Sequence, residues 1–217
     1  MTNVRNASQK TASKPPAKAG AKKAPEKVPT SSRVISDGAR LFREQGYAVS
    51  TTRELSARLG ITKASLYYHI ASKEDLLRLI CLESLHRVTE SVTAAVEAET
   101  DPLAKVRAVL SAHLESVLGD LDLHATMLQE LRSLTGAYRD QVQLARDAYE
   151  NLVVDVITEA QAAGALRSDL TVKVLAFGLL SLLNWTISWY RPGGGLTPSE
   201  LADNFWALYL GGAQAPA

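Results

Sequence analysis

A chain of 217 residues, 46% hydrophobic and 22% charged, has the balance of an ordinary globular protein: one compact unit, or a small domain joined to a larger one. Its one cysteine, Cys81, excludes an internal disulfide framework; no apolar run marks a secretory signal at the N-terminus, and the longest apolar stretch, 174–185, is too short to span a bilayer and is broken by Ser181 and Asn184. A net charge of +1 conceals a gradient of +6 over residues 1–30, +2 over 31–75 and −7 over 76–217, which points to a polyanionic partner met by the front third of a cytoplasmic protein.

Residues 1–30 are Lys, Ala, Pro, Ser and Thr with almost nothing to bury (KPPAKAGAKKAPEK), a composition that cannot offset its own ordering entropy. The segment reads as disordered, either a solvated tail without a role or an arm that adds affinity for DNA without reading sequence. From Ser32 onward the signals are helical. Val34, Ile35, Ala39, Leu41 and Phe42 form an apolar stripe that stops at Gly46. Thr51 with Glu54 makes a capping box for a short second helix ending near Gly60, and Thr62 caps a third over 63–69. Ser72 with Asp75 repeats that spacing at the head of a long helix reaching toward Thr100, and Asp101-Pro102 opens another. Further helices fit 124–134, 137–163 (ended by Gly164), 170–190 and 198–210, the last opened by a Thr197–Glu200 box. No stretch alternates as a strand does. The expected fold is all-α with about nine helices: a basic tail (1–30), a three-helix helix-turn-helix head (31–75) and a helical ligand-binding and dimerisation body (76–217).

The segment 59–77, LGITKASLYYHIASKEDLL, carries the function. Leu55, Leu59, Ile61 and Leu66 can pack inward and fix the crossing of two short helices, which leaves Lys63, Ala64, Ser65, Tyr67, Tyr68 and His69 projecting from the second. This is how a helix-turn-helix offers a recognition helix to the major groove. Lys63 suits a guanine O6/N7 edge, and the methyl of Ala64 a thymine methyl. Thr51, Thr62, Tyr68, His69 and Lys73 are placed to hold phosphates, aided by backbone N–H groups at the two helix N-termini.

The run GYAVSTTRELSARLGITKASLYYHIASKEDLL, 46–77, strongly resembles the DNA-binding domain of TetR-family transcriptional repressors in its Gly-Tyr, Thr-Thr, Leu-Tyr-Tyr-His and Ser-Lys-Glu. The resemblance implies that Thr51, Thr52 and Arg53 open the second helix near DNA. It makes Lys63, Ala64, Ser65 and Tyr67 recognition-helix contacts, and Tyr68, His69 and Lys73 backbone contacts. Ile70 departs from the pattern, in which Phe is common. A second stretch, LLNWTISWYRPGGGLTPSELADNFWALYL over 182–210, is similar to the C-terminal end of TetR-type regulators of fatty-acid and sterol catabolism that bind acyl-CoA thioesters.

The family resemblance further implies a homodimer built from the helices near 170–190 and 198–210. The first of these is apolar nearly all round, and the alternative is that both serve only the monomer's core. In the helix 137–163, Tyr138, Val142, Tyr149 and Val153 form an inward stripe flanked by Arg139 and Arg146. An apolar tunnel edged by arginine would suit an acyl chain with an anionic head; the same arginines could instead pair with Asp140, Asp147 and Glu150. Tyr149, Trp185 and Trp189 complete the candidate effector set. The four histidines have no metal-ligand spacing, and no catalytic or cofactor motif is present, so neither a cofactor nor an enzyme is expected. The expected function is a repressor that binds palindromic double-stranded operator DNA and is released by a small apolar effector, among which acyl-CoA thioesters lead. A drug or aromatic effector, or a tail-driven architectural DNA binder, are the alternatives.

Overall fold

The computed structural model describes residues 30–213, so the tail expected to be disordered lies outside the described residues except for Thr30. Within them the chain is all helical: α1 (Ser31–Gln45), α2 (Thr52–Leu59), α3 (Lys63–His69), α4 (Lys73–Glu97), α5 (Pro102–Gly119), α6 (Leu121–Glu130), a 3-10 turn (Leu131–Ser133), α7 (Gly136–Ala162), α8 (Val172–Asn184), α9 (Thr186–Trp189) and α10 (Pro198–Ala213).

The local causes are those of the sequence, with three differences. Thr51 and Glu54 form the reciprocal box that starts α2, and Gly60 ends it in the left-handed region (φ +70°) that favours glycine. Ser72 accepts the Asp75 N–H at 2.9 Å, but the Asp75 carboxylate turns to the Ala71 N–H (2.8 Å) and to Arg78 (2.7 Å), so the second box is only half made. Helix α6 begins at Leu121, ahead of the expected 124, because Asp120 accepts the Leu123 N–H and acts as its cap. The expected single helix over 170–190 breaks at Trp185. There the Thr186 hydroxyl donates to the Leu183 carbonyl at 2.6 Å, and the short α9 follows.

Two cores result. One gathers Leu41 and Phe42 of α1, Leu55 of α2, Leu66 of α3 and Leu76, Leu77 and Ile80 of α4 with Leu123 and Met127 of α6 and Val142 of α7. The expected boundary at residue 75 therefore passes through a shared core, not between two. Helix α1 approaches α4 so closely that a Cβ on Gly38 would stand 2.8 Å from a Leu76 methyl. The other core joins α5, α7, α8 and α10 to the far half of α4, where Val88 and Val92 are buried. Burial of these faces is the main source of stability for helices of this length.

Segment 172–189 is long and apolar enough by composition to cross a membrane. Its break at Trp185 and the packing of Leu175, Leu179 and Leu183 into the body core make it one side of a bundle instead.

Candidate functional site

The recognition helix stands out from the head on a buried anchor. Leu66 is fully buried, while Lys63, Ala64, Tyr67 and Tyr68 are exposed, Tyr68 to 86%. The Lys63 ammonium lies 5.6 Å from the Tyr67 ring centroid, and the Tyr67 hydroxyl is 3.5 Å from that of Thr52, so α2 and α3 present one continuous ridge. Arg53 is exposed on α2, and Ser65 is half-buried with its N–H given to the Thr62 hydroxyl oxygen at 3.1 Å. Thr51 caps α2 and donates its hydroxyl to Glu54 at 2.9 Å.

Two expected phosphate contacts are placed otherwise. The three N–H groups of the Lys73 ammonium go to the carbonyls of Tyr47 (2.8 Å), Ala48 (3.2 Å) and Ser50 (3.1 Å), and it sits 4.3 Å from the Tyr47 ring centroid. In this arrangement Lys73 ties the α1–α2 loop to the start of α4 and has no hydrogen left for a phosphate. His69 lies behind Tyr68, its Nδ1 3.4 Å from the Ser31 hydroxyl and its buried Nε2 without a hydrogen bond among the described residues.

The body encloses a cavity of about 270 Å³ between α4, α5, α6, α7 and α8. Leu85, Val117, Met127 and Leu180 supply apolar wall; His113, His124, Tyr149 and Asn184 supply polar atoms; Arg132, Arg146 and Glu150 bring charge to it. A second, more open hollow shares Leu128, Ser181 and Asn184 and adds Trp185.

The polar chain is ordered by elementary valence. Burial holds the His113 imidazole neutral, its pKa down to about 3, with a smaller push from His124. A neutral ring has one N–H. The Asn184 side-chain oxygen, 3.2 Å from Nε2, can only accept, so the N–H is on Nε2, and Nδ1 accepts the Tyr149 hydroxyl at 2.6 Å. Burial also raises the Tyr149 pKa and lowers that of His124 to about 4. His124 is bracketed by the hydroxyls of Ser84 (2.7 Å) and Ser116 (3.4 Å).

Of the expected effector residues, Arg146 and Tyr149 line the cavity and Trp185 lines the adjoining hollow. Arg139 points elsewhere, paired with Asp140 at 3.2 Å, and Trp189 packs edge-on against Phe205, outside both spaces. Arg146 is paired as well, with Glu150 at 2.7 Å, while Asp147 takes the Gln143 amide. Sequence reasoning missed His113, His124, Asn184 and Arg132. A usable signal existed for Arg132: no acidic residue stands three or four places from it. Among the described residues it is exposed and has no ion pair or hydrogen bond.

Helix α6 joins cavity to head. His124, Met127 and Leu128 face the cavity. Asp122 receives Arg43 of α1 at 2.9 Å, the Thr126 hydroxyl donates to the Ala39 carbonyl at 2.9 Å, and Glu130 accepts the Tyr47 N–H at 3.1 Å.

Comparison with known proteins settles the family. The profile of bacterial regulatory proteins of the tetR family matches residues 34–80, and that of the tetracyclin repressor-like C-terminal domain matches 99–213. The chain belongs to the TetR family. It is thus a transcriptional regulator with a helix-turn-helix head, from a DNA-binding rather than an enzymatic family. The HTH-type transcriptional repressor KstR2 of Mycolicibacterium smegmatis is 27% identical over 179 residues, 80% of this chain and 85% of that protein. The TetR regulator PfmR of Thermus thermophilus has the same fold, with a TM-score of 0.77 and 31% identity over 82% of this chain and 97% of that one. AibR, solved with isovaleryl coenzyme A and operator DNA, matches with a TM-score of 0.76 and 27% identity over 82% and 96% of the two chains.

Proposed function

We propose that this TetR-family regulator is a homodimeric repressor that binds a palindromic operator and lets go of it when an acyl-CoA thioester of lipid catabolism enters the body cavity. The observation that carries the effector half is α6, which lines the cavity with one face and is bonded to the head at Arg43, Ala39 and Tyr47 with the other. A ligand that moves α6 moves the heads. Release then needs only that the ligand prefer one spacing of the heads, and couplings of about 1–3 kcal/mol are typical. AibR, bound to isovaleryl coenzyme A and operator DNA, supports the class of effector. So does the unpaired Arg132 beside a largely apolar space, a pairing that suits an anionic carrier with an apolar load.

The dimer is supported by an apolar face that the monomer leaves in water. Val174 and Phe177 of α8 and Trp185 just past its end fall on one helical stripe with Gly178 and Ser181, and Leu208 of α10 is 66% exposed. Exposed apolar residues gathered on one helical stripe mark an interface rather than a scatter. Two copies joined there would set recognition helices roughly 34–36 Å apart, one turn of DNA.

Fluorescence anisotropy of DNA from the gene's own upstream region, at fixed salt, tests the reading. Binding should be sequence-specific, and acyl-CoA thioesters, not the matching free acids, should release it. Tight specific binding that no thioester disturbs would keep the regulator and discard the lipid effector.

A further inference from the structure

The cavity has features that narrow its occupant further. The cavity of about 270 Å³ opens beside a second hollow, with which it shares Leu128, Ser181 and Asn184. The wall is also not uniformly apolar. Tyr149 donates to His113, and His113 donates to the Asn184 side-chain oxygen, which fixes the direction of the whole chain. The Asn184 amide NH₂ is its terminus. Asn184 lines both the cavity and the adjoining hollow, and its NH₂ makes no hydrogen bond among the described residues. The hydrogen bond to His113 orients the amide, so the donor is held in place before any ligand arrives.

Given the thioester reading above, on which this rests, we infer that the effector's acyl group carries a hydroxyl or keto oxygen that accepts from Asn184. A saturated chain of the same length would press methylene against that NH₂ and leave the donor dry. Sites built to hydrogen-bond a ligand oxygen discriminate strongly against the analogue without it, because their polar groups are then unpaired. His124, the other buried polar group of the wall, already has hydroxyls at both ring nitrogens and asks nothing of the ligand. Arg132 is left for the anionic carrier and has no part in this selection.

The test is calorimetric titration of the full-length protein with hexanoyl-CoA and its 3-hydroxy, 5-hydroxy and 3-oxo forms. At least one oxygenated six-carbon thioester should bind roughly 10–100-fold tighter than hexanoyl-CoA. In Asn184→Leu the preference for oxygen should vanish while hexanoyl-CoA binds as well or better. Because that variant also removes the acceptor of His113, the wild-type ratio decides alone if it fails to fold. Hexanoyl-CoA binding as tightly as every oxygenated form would overturn the inference and leave the thioester reading standing. Failure of all the thioesters to bind would bring down both.

Discussion

Lys63 and Lys73 show how the same residue type serves different ends ten positions apart. Lys63 is exposed at the first turn of α3 with only a tyrosine face nearby, whereas Lys73 is fastened to three carbonyls. Lys63→Ala should therefore erode discrimination, by about 1–3 kcal/mol against the best competing sequence, while leaving thermal stability near wild type. Competition between operator and random DNA measures the first, and equal losses on both would remove Lys63 from base reading. Lys73→Met should instead lower unfolding stability by about 2 kcal/mol, since three carbonyls of the α1–α2 loop lose a charged donor. Denaturant unfolding with an unchanged midpoint would contradict that role. The difference was not legible in the sequence. The spacing that puts Lys73 at the start of α4 was; that the chain folds the Tyr47–Ser50 carbonyls over it is a tertiary fact.

Helix by helix, the caps were legible and the breaks were not. Thr51–Glu54, Thr62, Asp101-Pro102 and Thr197–Glu200 all do locally what their spacing predicts, because a cap needs only its own next three residues. The break at Trp185 and the early start of α6 depend on which of several polar side chains wins a backbone group, and an apolar run conceals that competition. Helix α6 shares the link to the head with α4: Asp122, Thr126 and Glu130 bond to α1 and its loop, beside the tie that Lys73 makes to the same loop. Thr126→Val and Glu130→Gln should weaken the coupling between effector and operator by about 0.5–2 kcal/mol while cavity affinity without DNA changes little. Calorimetry with and without operator separates the two, and unchanged coupling in the double variant would show that α6 is a bystander. Leu208→Glu and Phe177→Glu, on α10 and α8, should yield monomers by light scattering and lose operator affinity; a dimer that survives both changes would place the interface elsewhere.

At the scale of the whole molecule, two buried neutral histidines make stability depend on acid. Folded His113 and His124 have pKa values near 3 and 4, against about 6.5 when exposed, so below pH 6.5 the unfolded chain binds more protons than the folded one. Stability is then full above pH 6.5 and falls as pH drops toward 4, by about 1.4 kcal/mol per pH unit for each histidine once the unfolded form is charged. Chemical denaturation across pH 4–7 should show that slope, and His124→Gln should roughly halve it; a flat profile would mean that the histidines find solvent in the folded protein. The cavity that holds them is also the centre of the functional account, in which one molecule links a lipid thioester to DNA. Linkage requires the effect to run both ways. The most direct measurement is the affinity of a short acyl-CoA for the regulator, first free and then saturated with its operator. About 5–150-fold weaker binding to the DNA-bound regulator is the predicted result. Equal affinity in the two states would mean that filling the cavity does not release DNA.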